Sequence, residues 1–190
     1  MTRRLVRLYA GLALFGLSIA LMVRARLGLD PWDVFHQGLA RRAGLPLGAV
    51  VIAVSAAVML AWIPLRQRPG IGTISNAILV GLALDAALAL LPHPGPPPAR
   101  AAFLTSGIVL NGLATALYIG ARLGPGPRDG LMTGLATRGH SIRAVRTAIE
   151  VSVLAAGWML GGTVGVGTVA YALTIGPLVQ RFLPSATTRS

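Results

Sequence analysis

The stretch Ala25-Arg26-Leu27-Gly28-Leu29-Asp30-Pro31-Trp32-Asp33 returns 96 residues later as Ala121-Arg122-Leu123-Gly124-Pro125-Gly126-Pro127-Arg128-Asp129. Working outward from it, Gly11–Arg42 superposes on Gly107–Arg138 with 16 identities in 32 positions, and Trp62 matches Trp158. After a one-residue gap, Gly70-Ile71-Gly72-Thr73 matches Gly165-Val166-Gly167-Thr168, and Gly81 matches Gly176. So many matches in order mark an internal duplication, and a duplicated chain is read as two copies of one structural unit.

Each copy predicts the same series of elements. A span (5–24; 101–121) leads into a short helix (31–43; 127–138), then two more spans. In the first copy these are 46–65 and 71–91; in the second, residues 141–184 must hold both, with a tight turn at Gly161–Gly167. Two spans of ~20 residues fit that length. The run His93-Pro94-Gly95-Pro96-Pro97-Pro98 reads as a loop, because proline removes backbone donors. The domain expectation is therefore one membrane domain over 1–190, with repeats 8–91 and 104–184 joined by a proline-rich loop at 92–100. Asp30 suits an N-cap and Pro31 the first helical position, and Asp33 suits the positive end of the helix dipole. Trp32, Phe35, His36 and Leu39 share one face with Arg41 and Arg42 beyond it, a pattern suited to a membrane interface. Leu131 and Leu135 make a weaker stripe in the second copy.

Composition names the solvent. The chain has 190 residues, 54% of them hydrophobic and 12% charged, with mean hydropathy +0.72. Leu8–Val23, Ala43–Leu65, Ala101–Ala121 and Val151–Gln180 are long enough to cross a bilayer. A soluble enzyme and a basic nucleic-acid-binding surface are excluded; the bilayer itself is the expected partner. The net charge of +12 comes from 17 arginines and no lysine, a compositional bias whose residues near span ends act as topology signals and headgroup anchors. With no cysteine, disulfides and thiolate chemistry drop out. The apolar run after Met1-Thr2-Arg3-Arg4 exceeds the ~7–15 residues of a signal-peptide core and is itself duplicated, so it reads as a retained span.

Three spans per copy is an odd number, so the second copy is expected to enter the membrane upside down, as in many secondary transporters. The fold expectation is an all-α polytopic transmembrane bundle of about six spans, built as two inverted three-helix repeats. Each repeat carries a short amphipathic helix, interfacial or re-entrant. With the N-terminus inside, twelve arginines, Arg122, Arg128, Arg138 and Arg189 among them, lie inside, against Arg24, Arg26, Arg41, Arg42 and Arg100 outside. That balance assigns both termini to the cytoplasm. Four arginines in the first external loop run against it, unless the short helix there folds back into the protein.

Arg26-Leu-Gly-Leu-Asp-Pro-Trp-Asp-Val-Phe-His-Gln-Gly-Leu-Ala resembles the YczE/YyaS/YitT group of bacterial integral membrane proteins, most of all its YczE-like branch. So do Trp62-Ile-Pro-Leu-Arg-Gln-Arg-Pro-Gly-Ile-Gly-Thr and Tyr118-Ile-Gly-Ala-Arg-Leu-Gly-Pro-Gly-Pro-Arg-Asp-Gly-Leu. The likeness runs from about residue 8 to residue 184. It implies a multi-pass plasma-membrane protein and carries no molecular activity with it. Longer YitT-type members have a soluble C-terminal domain, which is not expected here.

Asp85 lies inside a span and is expected either to face an interior proton or cation site or to sit hydrated near the headgroups. Gln180 takes its place in the second copy. Glu150 is spaced i,i+4 from Arg146, so the two pair on one face, as a ligand site or as a structural ion pair. Arg122 and Asp129 repeat Arg26 and Asp33 around a proline-started helix. They serve an anion site at the helix N-terminus or lock the corner through Arg–Asp contacts. Asn111 and Asn76 suit interhelical hydrogen bonds, and Gly157 and Gly161 suit close packing. The candidate ligand residues are Asp85, Asn111, Arg122, Asp129, Arg146 and Glu150. The structural motif is Arg26, Gly28, Pro31, Asp33, Gly124 and Pro127. His36, His93 and His140 have no metal-ligand spacing, no catalytic motif appears, and neither an enzyme nor a cofactor is expected. Two functions stand: a small-molecule or ion transporter with its site between the repeats, or a non-transporting scaffold or assembly factor. A homodimer is compatible with both.

Overall fold

The computed structural model describes residues 1–139 and 141–186, side chains of 184–186 apart. These residues form eight helices: α1 Thr2–Ala25, α2 Pro31–Ala43, α3 Leu47–Leu65, α4 Ile71–Leu90, α5 Pro97–Gly120, α6 Pro127–Ala136, α7 Ile142–Met159 and α8 Val166–Ala186. There is no strand among them. Five helices, α1, α3, α4, α5 and α8, are long and apolar enough to cross a membrane. The expected sixth, α7, falls short of that standard because it carries Arg143, Arg146 and Glu150.

Local signals set the helix ends. Asp30 caps α2 by accepting from the Asp33 backbone N–H at 2.9 Å, with Pro31 in the first turn. That satisfies a donor the helix itself cannot pair. The proline-rich loop is shorter than expected. Pro97 and Pro98 open α5, because a first-turn proline forgoes only a hydrogen bond that position never makes. Arg26 and Arg122 end α1 and the corner after α5 in left-handed conformation, followed by Gly28 (φ 117) and Gly124 (φ 127). Glycine accepts such angles at least cost.

Equivalent residues of the two copies make equivalent contacts crosswise. From the start of α1, Arg4 Nε and Nη2 donate to the Ala121 and Arg122 carbonyls at the end of α5, at 2.8 and 2.7 Å. From the start of α5, Arg100 Nε and Nη2 donate to the Ala25 and Arg26 carbonyls at the end of α1, at 2.8 and 2.9 Å. These arginines therefore cap orphan helix carbonyls, a job beyond the topology signal first read in them. Helices α1 and α5 lie side by side in opposite directions. Likewise Gly72 N–H donates to Leu123 O (2.8 Å), and Gly167 N–H to Leu27 O (2.7 Å), tying the start of α4 to one corner and the start of α8 to the other.

Helix α2 is largely enclosed by the other helices. Trp32, Asp33, Val34, His36, Gln37, Gly38 and Ala40 of α2 are all buried; of the face expected at a membrane interface, Trp32 and His36 pack inside the protein and Phe35 and Leu39 are half-buried. Gly157 of α7 lies against the backbone of Val34 and Phe35. Its expected close packing is thus made with a short helix, while Gly161 (φ 93) belongs to the turn after α7. On the other side, α6 packs under α3: Trp62 Nε1 donates to Pro127 O at 3.0 Å, and the indole covers Gly130.

One pair of equivalent seams differs. Between α3 and α4, Gly48 and Gly81 touch backbone to backbone, and a Cβ at either would run into the other's carbonyl oxygen. Asp85 Oδ1 accepts from Gly48 N–H at 2.7 Å and fastens the seam. Between α7 and α8 the matching positions are Ala144, Gly176 and Gln180. A Cβ at Gly176 would meet nothing within 4 Å, and Gly176 and Gln180 are exposed. The first seam is shut and the second stands apart.

Candidate functional site

A cavity of about 340 Å³ lies at the centre, and each of the eight helices lends it at least one residue. Phe15, Val51, Val80, Met132 and Ile175 supply apolar wall, and Ser55, Asn76, Thr115, Tyr118, Tyr171 and Gln180 supply polar groups. Charge enters from three places: Asp30 before α2, Arg128 and Asp129 in the first turn of α6, and Arg146 with Glu150 on α7. A mostly apolar concavity with a few converging polar groups is the usual form of a small-ligand site.

The first turns of α2 and α6 meet here. Arg128 reaches Asp33 Oδ1 at 3.4 Å and Asp30 Oδ1 at 3.8 Å, and its guanidinium carbon lies 5.2 Å from the Trp32 ring centre. Such stacking favours a cation held over an aromatic face. Arg128 and Trp32 are the same position of the two copies, so one motif presents the aromatic surface and the other the cation. The carboxylates lie deeper than the arginine: side-chain exposure is 24% for Arg128, 4% for Asp30 and 0% for Asp33. Burial, aided by neighbouring Asp33 and opposed by Arg128, raises the Asp30 carboxyl to about 7. Burial holds the His36 imidazole well below its ordinary range. It is therefore neutral, and against a carboxylate its Nδ1 must be the donor, at 3.1 Å from Asp33 Oδ1.

These contacts leave buried polar atoms over. Asp30 Oδ2, Asp33 Oδ2 and Trp32 Nε1 have no hydrogen-bond partner. Leaving such groups unmade costs ~1–3 kcal/mol each, so their clustering beside one cavity calls for an explanation.

The structure brings three of the six expected ligand residues to this cavity: Asp129, Arg146 and Glu150. Arg146 Nε donates to Glu150 Oε1 at 2.9 Å, the pairing expected from their spacing. Asp129 Oδ2 accepts from Tyr118 Oη at 2.7 Å. Asn111 sits just behind the wall, where Nδ2 donates to Ser18 Oγ (2.9 Å) and Oδ1 accepts from Tyr171 Oη (3.0 Å). Asp85 lies apart, spent on the α3–α4 seam. Arg122 is exposed at its corner, as is Arg26. The Arg–Asp lock expected at these corners is not made, since Asp33 turns to Arg128 and Asp129 to Tyr118. His93 is engaged by Arg24 (Nη1 to Nδ1, 3.3 Å), and His140 lies outside the described residues. Arg128, first read as a cytoplasmic topology charge, is instead the central cation. The signal for it was the exchange of Trp32 for Arg128 within otherwise matching motifs. Tyr118 and Tyr171 left no sequence signal, being two aromatics among many apolar residues.

The fold and cavity define a helical membrane protein with a central polar site. The chain belongs to the family described as a family of unknown function, DUF6198, whose model matches residues 2–184. It is 44% identical over 173 residues to an "Uncharacterized protein" of Haemophilus influenzae, covering 90% of this chain and 79% of that one. It is 32% identical over 181 residues to the "Uncharacterized membrane protein YczE" of Bacillus subtilis (94% and 84% covered). A third relative is "Uncharacterized protein YyaS" of Bacillus subtilis, 26% identical over 188 residues (92% and 89% covered). The YczE-like resemblance carried by the motifs is thereby borne out. No solved structure matches.

Proposed function

We propose that this protein is a small-molecule or ion transporter working by alternating access of two inverted repeats, rather than an enzyme or a passive scaffold. The observation that carries the reading is the unequal state of the two equivalent seams: α3–α4 closed on Gly48, Gly81 and Asp85, α7–α8 apart beside the cavity. Two copies of one unit in two states are what a rocking mechanism needs at one end of its cycle. Inversion is supported by the opposed directions of α1 and α5 and by the crosswise capping of Arg4 and Arg100. On this reading α7 is the sixth span, its charges turned to the cavity, and α2 and α6 are re-entrant helices meeting at their N-termini. Both termini then share one side of the plasma membrane, and the arginine excess assigns it to the cytoplasm.

The chain has no cysteine, so a single Ser55→Cys in the cavity wall can be labelled with a membrane-impermeant maleimide in right-side-out and inside-out vesicles. Labelling from both faces is the expected result. Labelling from one face only would overturn alternating access and leave a scaffold.

A further inference from the structure

The charge around the cavity is lopsided. Asp30, Asp129 and Glu150 in its wall, with Asp33 buried behind Arg128, stand against Arg128 and Arg146, and Arg146 is already paired with Glu150. Arg128 is thus left to answer Asp33, Asp129, which also accepts from Tyr118, and Asp30, whose carboxyl burial lifts to about 7. The N-terminal ends of α2 and α6 offset part of the excess, yet Asp30 Oδ2 and Asp33 Oδ2 remain without any donor. Arg128 also lies on the open side of both carboxylates, with its guanidinium over the Trp32 ring. Its place has two buried acceptors below and an aromatic face beside it. Those are the features that bind a planar cation bearing N–H donors.

Resting on the transporter reading, we propose that Asp30, Asp33 and Trp32 form a cation seat that Arg128 fills in the ligand-free protein, and that a small guanidinium-type organic cation takes Arg128's place when it binds. The arginine is then a tethered competitor. It neutralises the buried carboxylates while the site is empty, so the cavity can rearrange without exposing bare charge to a low dielectric. Among the described residues, no three His, Asp or Glu side chains gather as a transition-metal site would need, and the Trp32 face beside the carboxylates favours an organic cation. A ligand anion would have to displace carboxylates that already outnumber the arginines.

The test is methylguanidinium binding to the purified full-length protein in detergent, followed by calorimetry at constant ionic strength, with sodium chloride and sodium acetate as controls. Saturable binding of methylguanidinium alone is expected. Arg128→Gln should tighten it at least tenfold by removing the competitor, and Asp33→Asn should weaken it at least tenfold. Trp32→Leu keeps both carboxylates and the arginine, and should weaken binding several-fold; it serves if Arg128→Gln does not fold. No saturable binding to folded wild type, acetate binding in its place, or affinity unmoved by Arg128→Gln and Trp32→Leu would each overturn the seat. Two-sided labelling of Ser55→Cys is independent of these results. Its persistence alongside failed binding would overturn the cation and keep the transporter.

Discussion

The first copy packs Trp62 against α6 and closes α3 against α4, while the second turns Trp158 outward and leaves α7 apart from α8. Trp62 is 2% exposed and Trp158 68% exposed, although they occupy one position of the duplication. The difference teaches that descent from one unit fixes which residues are available, and that the partner surface decides what each does. Trp62 finds Gly130, where no side chain blocks the indole. The residue equivalent to Gly130 in the first copy is Val34, which packs with Gly157 and Gly162 instead.

The sharpest way to break the comparison is to remove each tryptophan in turn. Trp62→Ala is expected to cost about 3–5 kcal/mol, the range for emptying a buried aromatic site. Trp158→Ala should stay within about 0.5 kcal/mol. Unfolding midpoints in detergent decide it, and equal losses would refute the asymmetry.

Next in size is a pH effect confined to the first copy, where Asp30 stands opposite Gly126. Burial lifts the Asp30 carboxyl from 3.8 to about 7, with Asp33 and His36 of α2, Arg128 of α6 and Tyr171 of α8 as its charged or titratable neighbours. A carboxyl raised on folding favours the protonated native state. Its stabilising share is therefore full below pH 3.8 and is lost as pH climbs through about 7. The loss is on the order of 4 kcal/mol. Asp30→Asn should flatten that part of the stability-against-pH curve, and an unchanged slope would remove Asp30 as its source.

The seams themselves give smaller effects of opposite sign. Gly81→Ala drives a methyl into the Gly48 carbonyl and should cost about 1–3 kcal/mol. Gly176→Ala meets open space and should gain about 0.5–1 kcal/mol from helix propensity. Thermal unfolding of the pair reads the contrast directly. A loss at both would mean that α7 and α8 also close at rest. Last comes the fastening: Asp85→Ala should lose about 1 kcal/mol with the cap on Gly48, whereas Gln180→Ala should leave stability within a few tenths.

Several of these features are legible in the amino-acid sequence alone. Most helix boundaries follow from the duplication, from Asp30-Pro31 and Gly126-Pro127 as helix starts, and from glycines at the corners, because capping and backbone angles are local matters; the start of α5 at Pro97 does not, because a proline run reads as loop. The Arg146–Glu150 pair followed from i,i+4 spacing for the same reason. Asp85 misled because a carboxylate in a span has the same sequence appearance whether it serves a ligand or a backbone N–H 37 positions away. Arg128 misled because counting arginines by loop takes no account of what each side chain packs against, here Asp30, Asp33 and Trp32.

By itself the sequence determined a membrane solvent, a repeated motif and the order of its helices, since hydropathy, repetition and capping act over short stretches of chain. Only the tertiary structure decided that two short helices turn inward and bring Arg128 over Asp30, Asp33 and Trp32. It alone also decided that equivalent seams rest in different states. Those outcomes depend on packing between residues some 95 positions apart, where the same motif meets different neighbours.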